Sequence, residues 1–222
     1  GMLAQDGLLE FDDDVFVEFV EGVRKRLGYK RFSMVGFSTG GRVLLNYALA
    51  YPDFLDRVVL IDCAGMNEFS PLHTGPLAKV APGLLRLAMS APIYLNHLAV
   101  EHLVDQQGKV ARWIQSWFPR SMSSSVVRYN YACLHSGMGT RLAVWRHKLP
   151  KLKLPALILW CSKDTLCPVE GAHELSALLA GSKVSILKGF HHYGLVEQPD
   201  FFVREMLPFL QEAAGRSERV SP

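Results

Sequence analysis

Between Asp12 and Leu27 the apolar residues Val15, Phe16, Phe19, Val20, Val23 and Leu27 recur at helical spacing, with acids ahead of them and Arg24, Lys25 and Arg26 at the end. The pattern predicts an amphipathic helix whose charges suit its dipole. Gly28 stops it, and Arg31 to Gly36 (R-F-S-M-V-G) reads as a short buried strand. A second helix is expected from Thr39 to Tyr51, closed by Pro52. Arg57 to Cys63 (R-V-V-L-I-D-C) then has the near-continuous β-branched and aliphatic content of a strand covered on both faces. Strand, helix, strand in this order implies a parallel βαβ unit.

The pattern changes between Gly65 and Pro150, where Met, Trp, Tyr and His cluster, Gly and Pro punctuate, and short helical stretches replace the alternation. This reads as a helical insertion. Alternation resumes with a strand at Ala156 to Cys161 (A-L-I-L-W-C), a helix at Val169 to Leu179, a strand at Lys183 to Leu187 and a closing helix at Phe201 to Leu210. After it the chain turns small and polar from Gln211 to Pro222. The expected fold is α/β, with a mainly parallel sheet, helices on both faces and one helical subdomain. Its divisions fall at 2–64 and 151–214 for the core, 65–150 for the insertion and 215–222 for a flexible tail.

Composition supports a single sizeable core, since 49 % of the 222 residues are hydrophobic and 20 % charged. Twenty-four basic against 21 acidic side chains leave a formal charge of +3, which gives nucleic-acid binding little support. Leu84 to Val104, the longest apolar region, is broken by Arg86, Pro92, Asn96, His97, Glu101 and His102, so no membrane span is expected. The acidic first twenty residues do not read as an export signal. Cys63, Cys133, Cys161 and Cys167 lack zinc or disulfide-framework spacing, and reduced thiols in a cytoplasmic protein are expected.

Chemistry concentrates at the carboxyl ends of the predicted strands. Gly36-Phe37-Ser38-Thr39-Gly40-Gly41 is a G-x-S-x-G between a strand and a helix, where small residues at Gly36 and Gly40 would let a strained turn push the Ser38 hydroxyl out over the sheet. Taken alone, the string also fits a plain glycine-rich turn. The helix opening at Thr39 would aim its dipole and its free N–H groups at the same place. A serine needs a base, and the base an orienting carboxylate. Asp164 follows the strand at 156–161 and His192 follows the strand at 183–187, so three functional groups fall beyond three strands in the order Ser, Asp, His.

With these residues in place the sequence resembles the α/β-hydrolase superfamily. The likeness rests on G-F-S-T-G-G at 36–41, A-L-I-L-W-C-S-K-D-T-L-C-P at 156–168 and H-Y-G-L-V-E-Q-P at 192–199, and it covers the chain from Asp12 to Leu210. It implies a cofactor-independent serine hydrolase acting on a small or medium hydrophobic carboxylic ester. In that family the histidine commonly stands five residues before a Glu-x-Pro, which His192 satisfies with Glu197 and Pro199 and His191 does not. The resemblance makes Ser38 the nucleophile, His192 the base, Asp164 its orienter and the Thr39 N–H an oxyanion donor. It also makes the insertion a cap over the acyl pocket. G-F-S-T-G-G is similar to the elbows of haloperoxidases and perhydrolases too, and capped serine members include C–C bond hydrolases.

The same resemblance exposes a gap, because only 37 residues precede Ser38 and family members ordinarily place several strands there. A loop, often His-Gly, supplies the second oxyanion N–H; the chain has no His-Gly, and Asp6-Gly7 reads as a remnant of an earlier turn. If those strands are missing, the strand at 31–36 is an open edge, and a homodimer or a non-catalytic binding scaffold becomes the competing expectation. Asp62 is the alternative acid; its structural role would be to cap the turn after its strand. Cys161 and Cys167 are expected to pack, His73, His97, His102, His135, His147 and His173 have no metal spacing, and no metal or cofactor is expected. The apolar residues of the insertion, Leu84 and Trp113 among them, would hold the cap together or line a pocket.

Overall fold

The computed structural model describes residues 13–66, 112, 116 and 142–212. Asp6-Gly7, most of the predicted insertion at 65–150 and the predicted tail at 215–222 lie outside the described residues. Numbered along the described residues, the elements are α1 (Asp13–Leu27), β1 (Phe32–Phe37), α2 (Thr39–Ala50), β2 (Leu55–Ile61), α3 (Leu142–Lys148), β3 (Ala156–Cys161), α4 (Glu170–Leu178), β4 (Lys183–Leu187), α5 (Gly194–Glu197) and α6 (Pro199–Gln211). All strand pairs are parallel, in the order β1-β2-β3-β4, with Val35 beside Val59, Val59 beside Leu157 and Leu157 beside Lys183.

Three boundaries differ by two residues from the pattern-based expectation. Strand β2 starts at Leu55 and ends at Ile61, two residues earlier than expected, because Asp62 turns into a left-handed φ of 44° that extended backbone cannot continue. Helix α6 begins at Pro199, where the missing N–H of proline costs nothing. The short α5 ahead of it has too little sequence to show a period. Gly28, with φ 70°, ends α1 as expected, its N–H donating to the Lys25 carbonyl at 3.1 Å.

The side-chain alternation of the strands divides the core. Val58, Leu60, Ile158 and Trp160 pack against Val17, Leu44, Tyr47, Trp145 and Leu175 on the face carrying α1 to α4. Val59, Ile61, Leu157, Leu159 and Leu187 pack against Phe202 and Phe209 of α6 on the other. Fully burying an aromatic or large aliphatic side chain contributes about 1.5–3 kcal/mol, so these two layers hold the sheet. Trp145 seats α3 on α2, its Nε1–H donating to Asn46 Oδ1 at 2.9 Å. Among the described residues β1 is an edge, and Val35 there is 42 % exposed. No described helix is long and apolar enough to cross a membrane.

An ion pair and a hydrogen bond from a hydroxyl to a carboxylate tie α1 to α2. Arg42 donates from Nη2 to Asp13 Oδ2 at 2.7 Å, with both side chains buried. Glu21 accepts from Arg24 at 2.7 and 2.8 Å and from the Tyr47 hydroxyl at 2.9 Å. The Arg24 guanidinium, helped by the Tyr47 O–H, pulls the Glu21 carboxyl from its ordinary 4.5 down to about 2. A lowered folded-state value stabilises the fold fully above about pH 4.5 and loses that contribution as pH falls through about 2. Acid unfolding followed by circular dichroism is therefore expected to be less steep in this window for Glu21→Gln. An unchanged pH slope would show that the contact carries no linked stability.

Candidate active site

The turn from β1 into α2 places Ser38. Its backbone sits at φ 52° and ψ −119°, a region that costs an L-residue about 1–3 kcal/mol. Four backbone hydrogen bonds hold it there: its N–H donates to the Ile61 carbonyl at 2.9 Å, while its carbonyl accepts from Gly41 at 2.9 Å, Ala64 at 3.0 Å and Arg42 at 3.3 Å. Strand β2 thus over-determines the turn from both sides. Replacing Ser38 by glycine is expected to raise the melting temperature above that of Ser38→Ala, by the equivalent of about 1 kcal/mol, since glycine adopts this conformation without a Cβ penalty. Equal melting temperatures for the two variants would mean that the turn stores no strain.

The requirement for small residues holds at Gly36 and moves by one residue on the far side. A Cβ on Gly36 would lie 2.6 Å from the Gly40 carbonyl oxygen and 2.7 Å from Gly41 Cα. A Cβ on Gly40, expected to be sterically excluded, meets nothing within 4 Å among the described residues. It is Gly41 that is packed, with a Cβ position 2.8 Å from Cys63 Sγ. The reason is the direction of α2: its first turn runs back over β2, so Gly41 faces Cys63 and Gly40 faces away.

The other two groups arrive from the ends of β3 and β4. Asp164 Oδ1 accepts from the Leu166 and Cys167 N–H groups, each at 2.8 Å, closing a turn that Trp160 pins by donating its Nε1–H to the Cys167 carbonyl at 2.7 Å. That leaves Asp164 Oδ2 pointing at His192 Nδ1, 2.6 Å away. His192 Nε2 lies 3.0 Å from Ser38 Oγ. A carboxylate can only accept, so Nδ1 carries the proton toward Asp164 and Nε2 presents its lone pair to the serine hydroxyl. Both Asp164 and His192 are buried, at 6 % and 1 % exposure, which keeps water from competing for the pair. Phe37 and Tyr193 flank the imidazole at ring-centroid distances of 5.0 and 5.3 Å.

The structure therefore brings together Ser38, Asp164 and His192, residues separated by up to 154 positions. Thr39, as the first residue of α2, has an N–H that no intrahelical carbonyl can accept, and it adjoins Ser38. Asp62 does not meet His192 by hydrogen bond; its Oδ1 accepts the Cys161 N–H across the sheet at 2.7 Å instead of capping the turn that follows β2. Local sequence could not foresee this, because the partner lies 99 residues on. Neither the contact of Phe37 with His192 nor the seating of Gly41 on Cys63 has a sequence signal of its own.

Cys63, Cys161 and Cys167 are buried free thiols, and burial pushes all three up, away from the thiolate. Donor atoms of Asp164, Cys167 and His192 lie within 4.8 Å of one another. Two of the three are already committed to each other, and the third is held in the form that ligates metal poorly. His147 Nε2 lies 3.2 Å from Lys151 Nζ on the surface and His173 is exposed. Cys133, His73, His97, His102 and His135 lie outside the described residues.

The fold has counterparts in known proteins. A family profile, the alpha/beta hydrolase fold, matches residues 7–199. The chain belongs to the alpha/beta hydrolase fold family. The chain shares 25 % identity over 188 residues with an uncharacterized protein of Mycobacterium tuberculosis (strain ATCC 25618 / H37Rv), aligning 80 % of itself with 55 % of that relative. It thus spans little more than half the length of that protein. With a 2-hydroxy-6-oxononadienedioate/2-hydroxy-6-oxononatrienedioate hydrolase of Pseudomonas sp it is 24 % identical over 213 residues, covering 89 % of this chain and 69 % of the other. The crystal structure of a probable hydrolytic enzyme from Pseudomonas aeruginosa PAO1 superposes on it with a TM-score of 0.76 at 18 % identity, over 92 % of this chain and 71 % of that one.

Proposed function

We propose that this chain is a serine hydrolase that cleaves a small or medium hydrophobic carboxylic ester through an acyl-enzyme. The observation that carries the reading is the pair of contacts at His192, 3.0 Å to Ser38 Oγ and 2.6 Å to Asp164 Oδ2. Ser38 Oγ attacks the carbonyl carbon and passes its proton to His192 Nε2. Asp164 holds the resulting imidazolium, and the Thr39 N–H, at the positive end of α2, faces the developing oxyanion. The imidazolium then returns its proton to the departing alkoxide, leaving the acyl group on Ser38. Water, deprotonated by the same histidine, attacks the acyl carbon and releases a carboxylic acid and free Ser38.

A second reading is C–C bond hydrolysis, supported by the named activity of the Pseudomonas relative. The same three residues would serve it. Fluorophosphonate labelling of the purified chain tests the shared part, since labelling needs an activated serine hydroxyl. Turnover of p-nitrophenyl esters of graded acyl length against a vinylogous diketone separates the two readings. A folded chain that labels with neither substrate nor probe would leave a binding scaffold as the surviving reading.

A further inference from the structure

Asp62 ends β2 with no solvent exposure and a left-handed φ of 44°. Its N–H donates to the Leu159 carbonyl at 3.1 Å and its Oδ1 accepts the Cys161 N–H at 2.7 Å, so it grips the last turn of backbone in β3 from both directions. Cys161 in turn accepts the Asp164 N–H on its carbonyl at 3.2 Å. The grip of Asp62 is therefore applied one residue pair below the turn that carries the proposed triad carboxylate. Its other oxygen, Oδ2, is buried with no hydrogen-bond partner among the described residues. An unpaired buried carboxylate oxygen is costly, whereas a protonated one is tolerated.

The groups that face Asp62 come from three segments. Cys63 follows it, Cys161 lies on β3, and Asp164, Cys167 and His192 come from the loops after β3 and β4. Burial holds the three thiols neutral. Desolvation pushes the Asp62 carboxyl up to about 7, outweighing the Cys161 hydrogen bond that pulls it down.

We propose that Asp62 is a positioning residue of the triad: its Oδ1 fixes the end of β3 beneath Asp164, and through Asp164 it fixes the imidazole of His192. The proposal rests on the serine hydrolase reading above. The contacts run from the Asp62 carboxylate to the Cys161 N–H, from the Cys161 carbonyl to the Asp164 N–H, and from Asp164 Oδ2 to His192 Nδ1.

The test is the fluorophosphonate labelling rate of wild type, Asp62→Asn and Asp62→Leu. Asparagine keeps an acceptor for the Cys161 N–H, and its labelling is expected to stay within about tenfold of wild type. Leucine strands that N–H and is expected to slow labelling by about 10- to 100-fold. An Asp62→Leu variant that labels at the wild-type rate, or an Asp62→Asn variant slowed as much as Asp62→Leu, overturns the proposal. The low-field proton resonance of the His192–Asp164 hydrogen bond supplies a readout that needs no catalysis. It is expected to be kept in Asp62→Asn and displaced in Asp62→Leu. If the chain never labels while the resonance responds in that way, the hydrolase reading fails and the positioning of Asp164 by Asp62 stands. Identical resonances in wild type and Asp62→Leu refute the positioning.

Discussion

Replacing Ser38 by alanine is expected to abolish fluorophosphonate labelling and to lower ester turnover roughly 10⁶-fold. His192→Ala should do the same, and the double variant should be no worse than either single one, because a nucleophile and its base act as one unit. His192 Nε2 is 3.0 Å from the Ser38 hydroxyl, within reach of the proton it must take. The imidazole cannot swing away, since it is 1 % exposed, bonded at Nδ1 to Asp164 and flanked by Phe37. Additive losses in the double variant would mean that Ser38 and His192 contribute separately. Turnover unaffected by Ser38→Ala would remove the triad as the source of activity.

The second large effect concerns the elbow and is read in stability. Gly36→Ala would put a Cβ 2.6 Å from the Gly40 carbonyl oxygen and 2.7 Å from Gly41 Cα. These are backbone atoms of the first turn of α2, which cannot rotate aside as a side-chain end could. Overpacking a core typically costs about 1–3 kcal/mol, and a clash with backbone belongs at the upper end or beyond it. The melting temperature should fall by roughly 6–12 °C, at 2–4 °C per kcal/mol for a domain of this size. Gly40→Ala is the control, because its Cβ meets nothing within 4 Å among the described residues and alanine is the better helix former by about 1 kcal/mol. Thermal melts of the two variants should therefore diverge in sign. A Gly36→Ala protein as stable as wild type would show that the β1–α2 crossing can open without cost.

Where a signal was local, it could be read along the chain. The run V-V-L-I in β2 and A-L-I-L-W-C in β3 announced strands buried on two faces, and the structure places alternate members against α2 and against α6. The candidate site was legible for a related reason: in a parallel sheet every strand ends on the same edge, so Ser38, Asp164 and His192, each just past a strand, fall on that edge although β2 separates β1 from β3 and β4. Strand ends were less legible. Asp62 sits inside the run R-V-V-L-I-D-C, yet it leaves the strand, because its left-handed φ is imposed by a bond to Cys161 that no local pattern encodes.

The sequence by itself determined the element types, the parallel sheet and which residues could supply a nucleophile, a base and a carboxylate, since each depends on spacing within a few residues. Only the tertiary structure decided which carboxylate meets the histidine, which glycine of the elbow is packed and what Asp62 does. Those choices turn on distances of about 3 Å between segments up to 154 residues apart. Hydrogen bonds and steric exclusion act over such short ranges that strand register and helix direction select the partner, and these emerge only when the sheet is assembled.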